Sequence, residues 1–201
     1  MNHNIKLSHV SLAVLGLIGE KRFPQYQKNE TDDTTYPYEI KKKIEEREMQ
    51  NWTNIGQSSI YGVLKKLEEK ELIESKITIS DQNRTQKTLK ITDKGIQVLK
   101  ENVIDILSRG GRLGRDWDLA FSNIKFLTKV EKIKALESCI DALKANKDAL
   151  RKRLKLGNMV FNGNPPLHFS GLFTRPLKLI AANVEFCEEV LAEIKKEKEI
   201  E

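Results

Sequence analysis

One predicted helix carries hydroxyl, aromatic and cationic side chains at a spacing that could bind DNA. The stretch SSIYGVLKKLEEKELI (58–73) has apolar residues at helical spacing on one side. The opposite side carries the polar residues Ser58, Ser59, Tyr61, Lys65 and Lys66. Short hydroxyl side chains at a helix N-terminus can reach base edges, and lysines one turn later can contact phosphates. Gly62 leaves the outer surface open. The pattern predicts a helix that enters the DNA major groove.

The elements predicted around this helix would hold it in place. Two helices precede it: SHVSLAVLGLIG (8–19), which is apolar almost throughout, and YPYEIKKKIEERE (36–48), which begins near Pro37. After it, LIESKITI (72–79) and KTLKI (87–91) alternate as two strands of a hairpin. Three helices and a hairpin are the order of a winged helix-turn-helix domain. We expect Arg84 and Lys87, near the hairpin tip, to contact phosphates.

The same motifs resemble those of the PadR family of bacterial transcription regulators. The matching segments are LGLI (15–18), YEI (38–40), SIYGVLKKLEEKELI (59–73) and ITDKG (91–95). The resemblance implies a homodimer that binds double-stranded DNA at an inverted-repeat operator, with a possible small aromatic effector. Virulence-gene activators of the larger PadR subgroup have a similar layout in the helical remainder.

Three positions depart from the family pattern. The loop Lys21–Thr35 is longer than the usual turn, Glu71 replaces a glycine expected in a left-handed helix cap, and Leu89 replaces a common wing tyrosine. We expect strain or a different closure at Glu71.

The second half is predicted to be helical, which gives a mainly α fold with a small β-hairpin wing. We expect a winged domain over residues 1–95 and a helical dimerisation domain, with a possible effector site, over 96–201. Two long amphipathic helices are predicted there, separated by GNMVFNGNPPLHFSG (157–171), which we expect to be non-helical. Their apolar stripes need a partner surface, either in the same chain or on a second copy. The residues expected at a dimer interface are Val14, Leu17, Ile180, Val184, Cys187, Leu191 and Ile194.

Aromatic residues give a weaker indication of a ligand pocket. Trp117, Phe121 and Phe169 are the candidates for an effector site, although aromatic residues at helical spacing are more often core. An alternative function is a helical adaptor whose winged domain binds a protein instead of DNA.

Composition limits the function classes further. The 201 residues carry a net charge of +6, which is compatible with a polyanionic partner but does not establish one. We find no catalytic or phosphate-binding motif and no metal-ligand spacing, and expect neither an enzyme nor a cofactor. No apolar run is long enough for a membrane span, so we expect a cytoplasmic protein whose two cysteines stay reduced.

Overall fold

The computed structural model describes residues 5–27, 33–53, 55, 60–79, 85–110 and 113–196. They divide into two compact units, Met1–Val103 with Arg115–Phe126, and Ile104–Gly114 with Leu127–Glu201. The elements of the first unit are α1 (His9–Gly19), α2 (Pro37–Glu46), α3 (Met49–Trp52), α4 (Ile60–Glu69), β1 (Ile73–Ile79), β2 (Thr85–Ile91) and α6 (Arg115–Ser122), with 3-10 turns at Glu20–Arg22, Pro24–Tyr26 and Ile124–Phe126. Helix α5 (Asp93–Ser108) runs from the first unit into the second, which contains α7 (Lys129–Val160) and α8 (Leu167–Lys196). The helices and hairpin confirm the predicted fold class.

Helix α1 is the centre of the first unit. Ser8 caps it, because its side-chain oxygen accepts a hydrogen bond from the backbone N–H of Ser11. The residues from Leu12 to Gly19 are all buried. Helices α4 and α6 and strand β2 pack against this helix. Its apolar surface, including Val14 and Leu17, is therefore covered within the chain and does not require a second copy.

The hairpin forms the predicted wing. Strands β1 and β2 are antiparallel, with Ile73 opposite Ile91 at the base and Ile79 opposite Thr85 near the tip. Leu89, which stands in place of a wing tyrosine, is buried. It also pairs with Thr35 through two backbone hydrogen bonds of 2.8 and 2.9 Å. The chain before α2 thus adds an isolated antiparallel bridge to the two-stranded wing.

The end of α4 is closed by a residue in the left-handed region. Glu71 has φ of 59°, and the backbone N–H of Leu72 donates to the carbonyl of Leu67 at 2.9 Å. This is the closure that glycine normally makes. The expectation of a strained cap at Glu71 is confirmed, since a side chain there costs free energy in this conformation.

The second unit is dominated by the antiparallel pair α7 and α8. Thr128 and Glu131 form a capping box at the start of α7. Ion pairs link the helices at Lys195–Glu137 (3.0 Å) and Lys144–Glu188 (2.8 Å). The buried residues of α7 and α8 pack against each other between the two helices.

The prediction that residues 157–171 are non-helical is wrong. Helix α7 continues to Val160 and α8 begins at Leu167, so only six residues connect them. The Phe169 ring packs against Gly157, where an added Cβ would lie 2.2 Å from it. The reversal itself is made by Asn162 and Gly163, both with positive φ. Glycine at 157 is thus used for close packing between helices and does not break α7.

Candidate nucleic-acid interface

The outer face of α4 is open to solvent. Tyr61 is 71% exposed and Lys65 and Lys66 are exposed, whereas Ile60, Leu64 and Leu67 are buried. No atom lies within 4 Å of the position that a Cβ on Gly62 would occupy. The division of α4 into a buried and an exposed face is as predicted. Ser58 and Ser59 lie outside the described residues.

Glu68 links α4 to the wing. Its carboxylate accepts hydrogen bonds from the Ser75 hydroxyl and from the Lys87 ammonium, the second at 2.9 Å. These two bonds, the first being the stronger influence, hold the pKa of Glu68 below its usual value. Lys87 of the wing therefore lies beside α4. Arg84 lies outside the described residues.

The chain before α2 contributes charge to the wing as well. Asp33 bonds the Lys90 ammonium at 2.5 Å, and this hydrogen bond raises the pKa of Lys90. Lys90 is thus partly neutralised close to the bridge between Thr35 and Leu89. Sequence reasoning did not assign this pairing, because strand pairing between distant segments has no local signal.

A buried carboxylate joins three separate segments of the first unit. Glu20 is 1% exposed and bonds Arg47 through both oxygens, at 2.7 and 2.9 Å. Lys43 and Lys125 also reach it, at 3.1 and 2.6 Å. Burial alone would raise the pKa of Glu20, but the hydrogen bonds from Arg47 and Lys125 outweigh it and lower the pKa to about 2. Sequence reasoning missed this cluster, since its members lie far apart along the chain.

A cavity of about 90 Å³ adjoins this cluster. Its lining combines charged with apolar side chains: Glu20, Arg47, Lys125, Leu17, Met49, Trp52 and Leu119. None of the three aromatic residues expected at an effector site is among its lining residues. In this lining, Arg47 and Lys125 already bond the Glu20 carboxylate.

The three expected effector residues are not brought together within one unit. Trp117 and Phe121 stack in the first unit with ring centroids 5.1 Å apart. Phe169, in the second unit, lies between Phe161 and Phe173 at 5.0 and 5.2 Å. Trp117 is buried, which agrees with the alternative of ordinary core packing.

The expected dimer residues of α8 are mostly covered by their own chain. Ile180, Val184, Cys187 and Ile194 are buried, and Leu191 is half-buried. Cys187 and Cys139 are both free thiols. The hydrogen bond between them and their burial raise the pKa of Cys187. A second copy was expected because this stripe needs a surface to pack against, and α7 of the same chain provides that surface.

Metal binding and membrane spanning can both be assessed for the described part of the chain. Among those residues, no three His, Cys, Asp or Glu side chains gather where they could hold a metal ion. Across the same ranges, every helix is too short or too polar to span a bilayer.

Comparisons with known proteins agree with the sequence motifs. No curated protein matches the chain. Similar solved structures include Bacillus subtilis PadR in complex with operator DNA, with 22% identity over 94% of this chain and 99% of that chain and a TM-score of 0.40. Bacillus subtilis PadR in complex with p-coumaric acid has 23% identity over 94% and 100%, with a TM-score of 0.36. Residues 30–101 match the sequence model of the Transcriptional regulator PadR-like family. The resemblance to the PadR-like family of transcriptional regulators is therefore confirmed over residues 30–101.

Proposed function

We propose that this protein is a transcription regulator that binds an inverted-repeat DNA operator as a homodimer. The observation that carries the proposal is the exposed polar face of α4, where Tyr61 and Lys65 surround the open position at Gly62. A helix can approach base edges only where its outer surface is small and polar, and cations beside it neutralise phosphates. We assign major-groove and phosphate contacts to Tyr61, Lys65, Lys66 and Lys87, and to Ser58, Ser59 and Arg84 from their positions in the sequence.

The homodimer rests on a second apolar stripe of α8. Leu172 and Leu179 are exposed and lie seven residues apart, which places them along one side of the helix. This stripe is separate from the buried one that faces α7. A heptad stripe open to solvent suits a helix–helix seam with a second copy, and a two-fold dimer reads an inverted repeat. We therefore propose the dimer contact here.

Selection of bound duplexes from a random pool tests the proposed function. We expect an enriched inverted repeat whose half-sites are about 34 Å apart, the separation that lets both α4 helices lie on one side of the duplex. A pool that stays random, or an enriched single half-site, would contradict recognition by a dimer. Binding of a protein partner by the winged domain, with no duplex enriched, would favour the alternative function as an adaptor.

We also propose that a small aromatic acid modulates DNA binding. The cavity beside Glu20 is the site that we assign to it, because its apolar lining could cover a ring, while the carboxylate of the acid would compete with Glu20 for Arg47 and Lys125. A suitable probe is p-coumaric acid, titrated into the protein–operator complex with its methyl ester as control. Release of DNA by the acid at concentrations where the ester has no effect is expected. Equal effects, or none, would count against this site.

A further inference from the structure

Two isoleucines of the wing project into solvent. Ile77 and Ile79 are 74% and 72% exposed, although Ile73 on the same face of β1 is buried. We call Ile77 and Ile79 the wing patch. Large apolar side chains on an exposed edge strand favour aggregation, and natural proteins usually place charges there. The position of this patch therefore indicates a contact surface.

The wing patch continues the exposed face of α4. Residues paired across two strands share a face, and Ile77 is paired with Lys87. Lys87 bonds Glu68 of α4. On α4, Tyr61, Lys65 and Glu68 follow one stripe at spacings of four and three residues. The patch is thus continuous with the face to which we assign DNA contacts.

We propose that Ile77 and Ile79 contact the minor groove of A·T base pairs beside the segment read by α4, a proposal that rests on the proposed function. With α4 in the major groove, we place the adjoining wing at the neighbouring minor groove. Minor-groove architectural proteins insert apolar side chains there. A·T pairs present only acceptors there, whereas a G·C pair adds the guanine N2 amine. An isoleucine over this amine would bury a donor without a partner. The patch therefore favours A·T pairs.

Polar β-branched variants test the contact. The double variant Ile77→Thr/Ile79→Thr keeps β-branched side chains and so keeps the strand. We expect operator affinity to fall about 10-fold or more, with an unchanged dependence on salt, because no cation is lost. The double variant to Val should stay within about 3-fold of wild type. Val130→Thr, an exposed aliphatic of the second unit, is the matched control and should have no effect.

Modified operators test which groove is touched. Inosine lacks the N2 amine, so an inosine·C pair presents the minor groove of A·T and the major groove of G·C. We expect the wild-type protein to bind operators with A·T and inosine·C flanks equally, and operators with G·C flanks about 10-fold more weakly. The threonine variant should lose this discrimination. Deoxyuridine in place of thymine removes only a major-groove methyl group and should change nothing.

Each outcome decides between the two proposals. A wild-type chain that binds no duplex in a salt-dependent way overturns the proposed function and this inference together. Tight binding by wild type and threonine variant alike overturns only the inference. Equal loss in the valine and threonine variants, an inosine·C flank that behaves as G·C, or a loss with deoxyuridine also overturns it. The melting temperature of every variant should stay within about 2 °C of wild type, as for exposed sites.

Discussion

At the scale of single residues, the most informative group is the buried carboxylate of Glu20. Its folded pKa of about 2 lies below the ordinary value of 4.5. A lowered pKa means that the ionised form stabilises the folded state, so this stability is present above pH 4.5 and is lost as the pH falls towards 2. We expect about 3 kcal/mol of unfolding free energy to disappear over that interval.

Glu20→Gln should isolate this contribution. At pH 7 the variant should be less stable by about 3 to 5 kcal/mol, because three cations lose a buried partner. Since protonated Glu20 resembles glutamine, the difference from wild type should shrink between pH 4.5 and 2. Urea unfolding at a series of pH values measures it, with exposed Glu185→Gln as the control. Parallel curves for wild type and Glu20→Gln would show that Glu20 does not titrate as described.

The exposed face of α4 gives a prediction about DNA contacts. Tyr61→Ala and Lys65→Ala should each weaken operator binding, and should shift the melting temperature by no more than about 2 °C. Lys65→Ala should also reduce the number of ions released on binding by about one. Tyr61→Phe should weaken binding but leave the salt dependence unchanged. An unfolding-scale loss of stability in either alanine variant would show a structural role instead.

Sequence reasoning located this face but not the ionic cluster. The buried positions Ile60, Leu64 and Leu67 follow helical spacing, so the opposite face could be read directly. Glu20 and Lys125 are far apart along the chain, and no spacing rule joins them. Burial of Glu20 depends on three cations that only the fold brings together.

At the scale of elements, the end of α4 shows how a sequence departure becomes structure. Glu71 keeps the left-handed conformation of the glycine it replaces. Lys94 bonds its carboxylate at 2.7 Å, and the Thr92 hydroxyl donates to its carbonyl. The conformation is therefore set by the turn into β1, even with an unfavourable residue.

Substitution of Glu71 by glycine should stabilise the protein. Glycine adopts positive φ without steric cost, so Glu71→Gly should raise the melting temperature by about 2 to 4 °C. Glu71→Ala is the matched control: it loses the same ion pair with Lys94 but retains a Cβ, and should not raise the melting temperature. If glycine and alanine gave the same change, backbone conformation would not be the cause.

The connection between α7 and α8 was predicted less well than the helices themselves. Glycine, asparagine and proline in residues 157–171 are typical of a long loop, but the helices extend to Val160 and from Leu167. Proline at 165 and 166 precedes the first turn of α8, where it is tolerated. Gly157 allows the Phe169 ring to pack closely against α7. Local preferences therefore marked the turn but overestimated its length.

At the scale of the whole molecule, the proposed dimer contact is what would place two α4 helices on one operator. Leu179→Glu would place a carboxylate in the proposed apolar stripe of α8 and should convert the dimer to monomer. Lys178→Glu, at the neighbouring exposed position, is the control and should remain dimeric. Light scattering measures the mass. A folded Leu179→Glu variant that stays dimeric would exclude this stripe from the interface.

The most direct test of the account is operator titration of the wild-type protein over a range of salt concentrations. A dimer that neutralises about 6 to 10 phosphates should give a logarithmic slope of about −5 to −9, because each contact releases a counterion. Scrambled duplex of the same length should bind far more weakly at every salt concentration. The result that would contradict DNA recognition is weak binding with a flat salt dependence and equal affinity for operator and scrambled duplex.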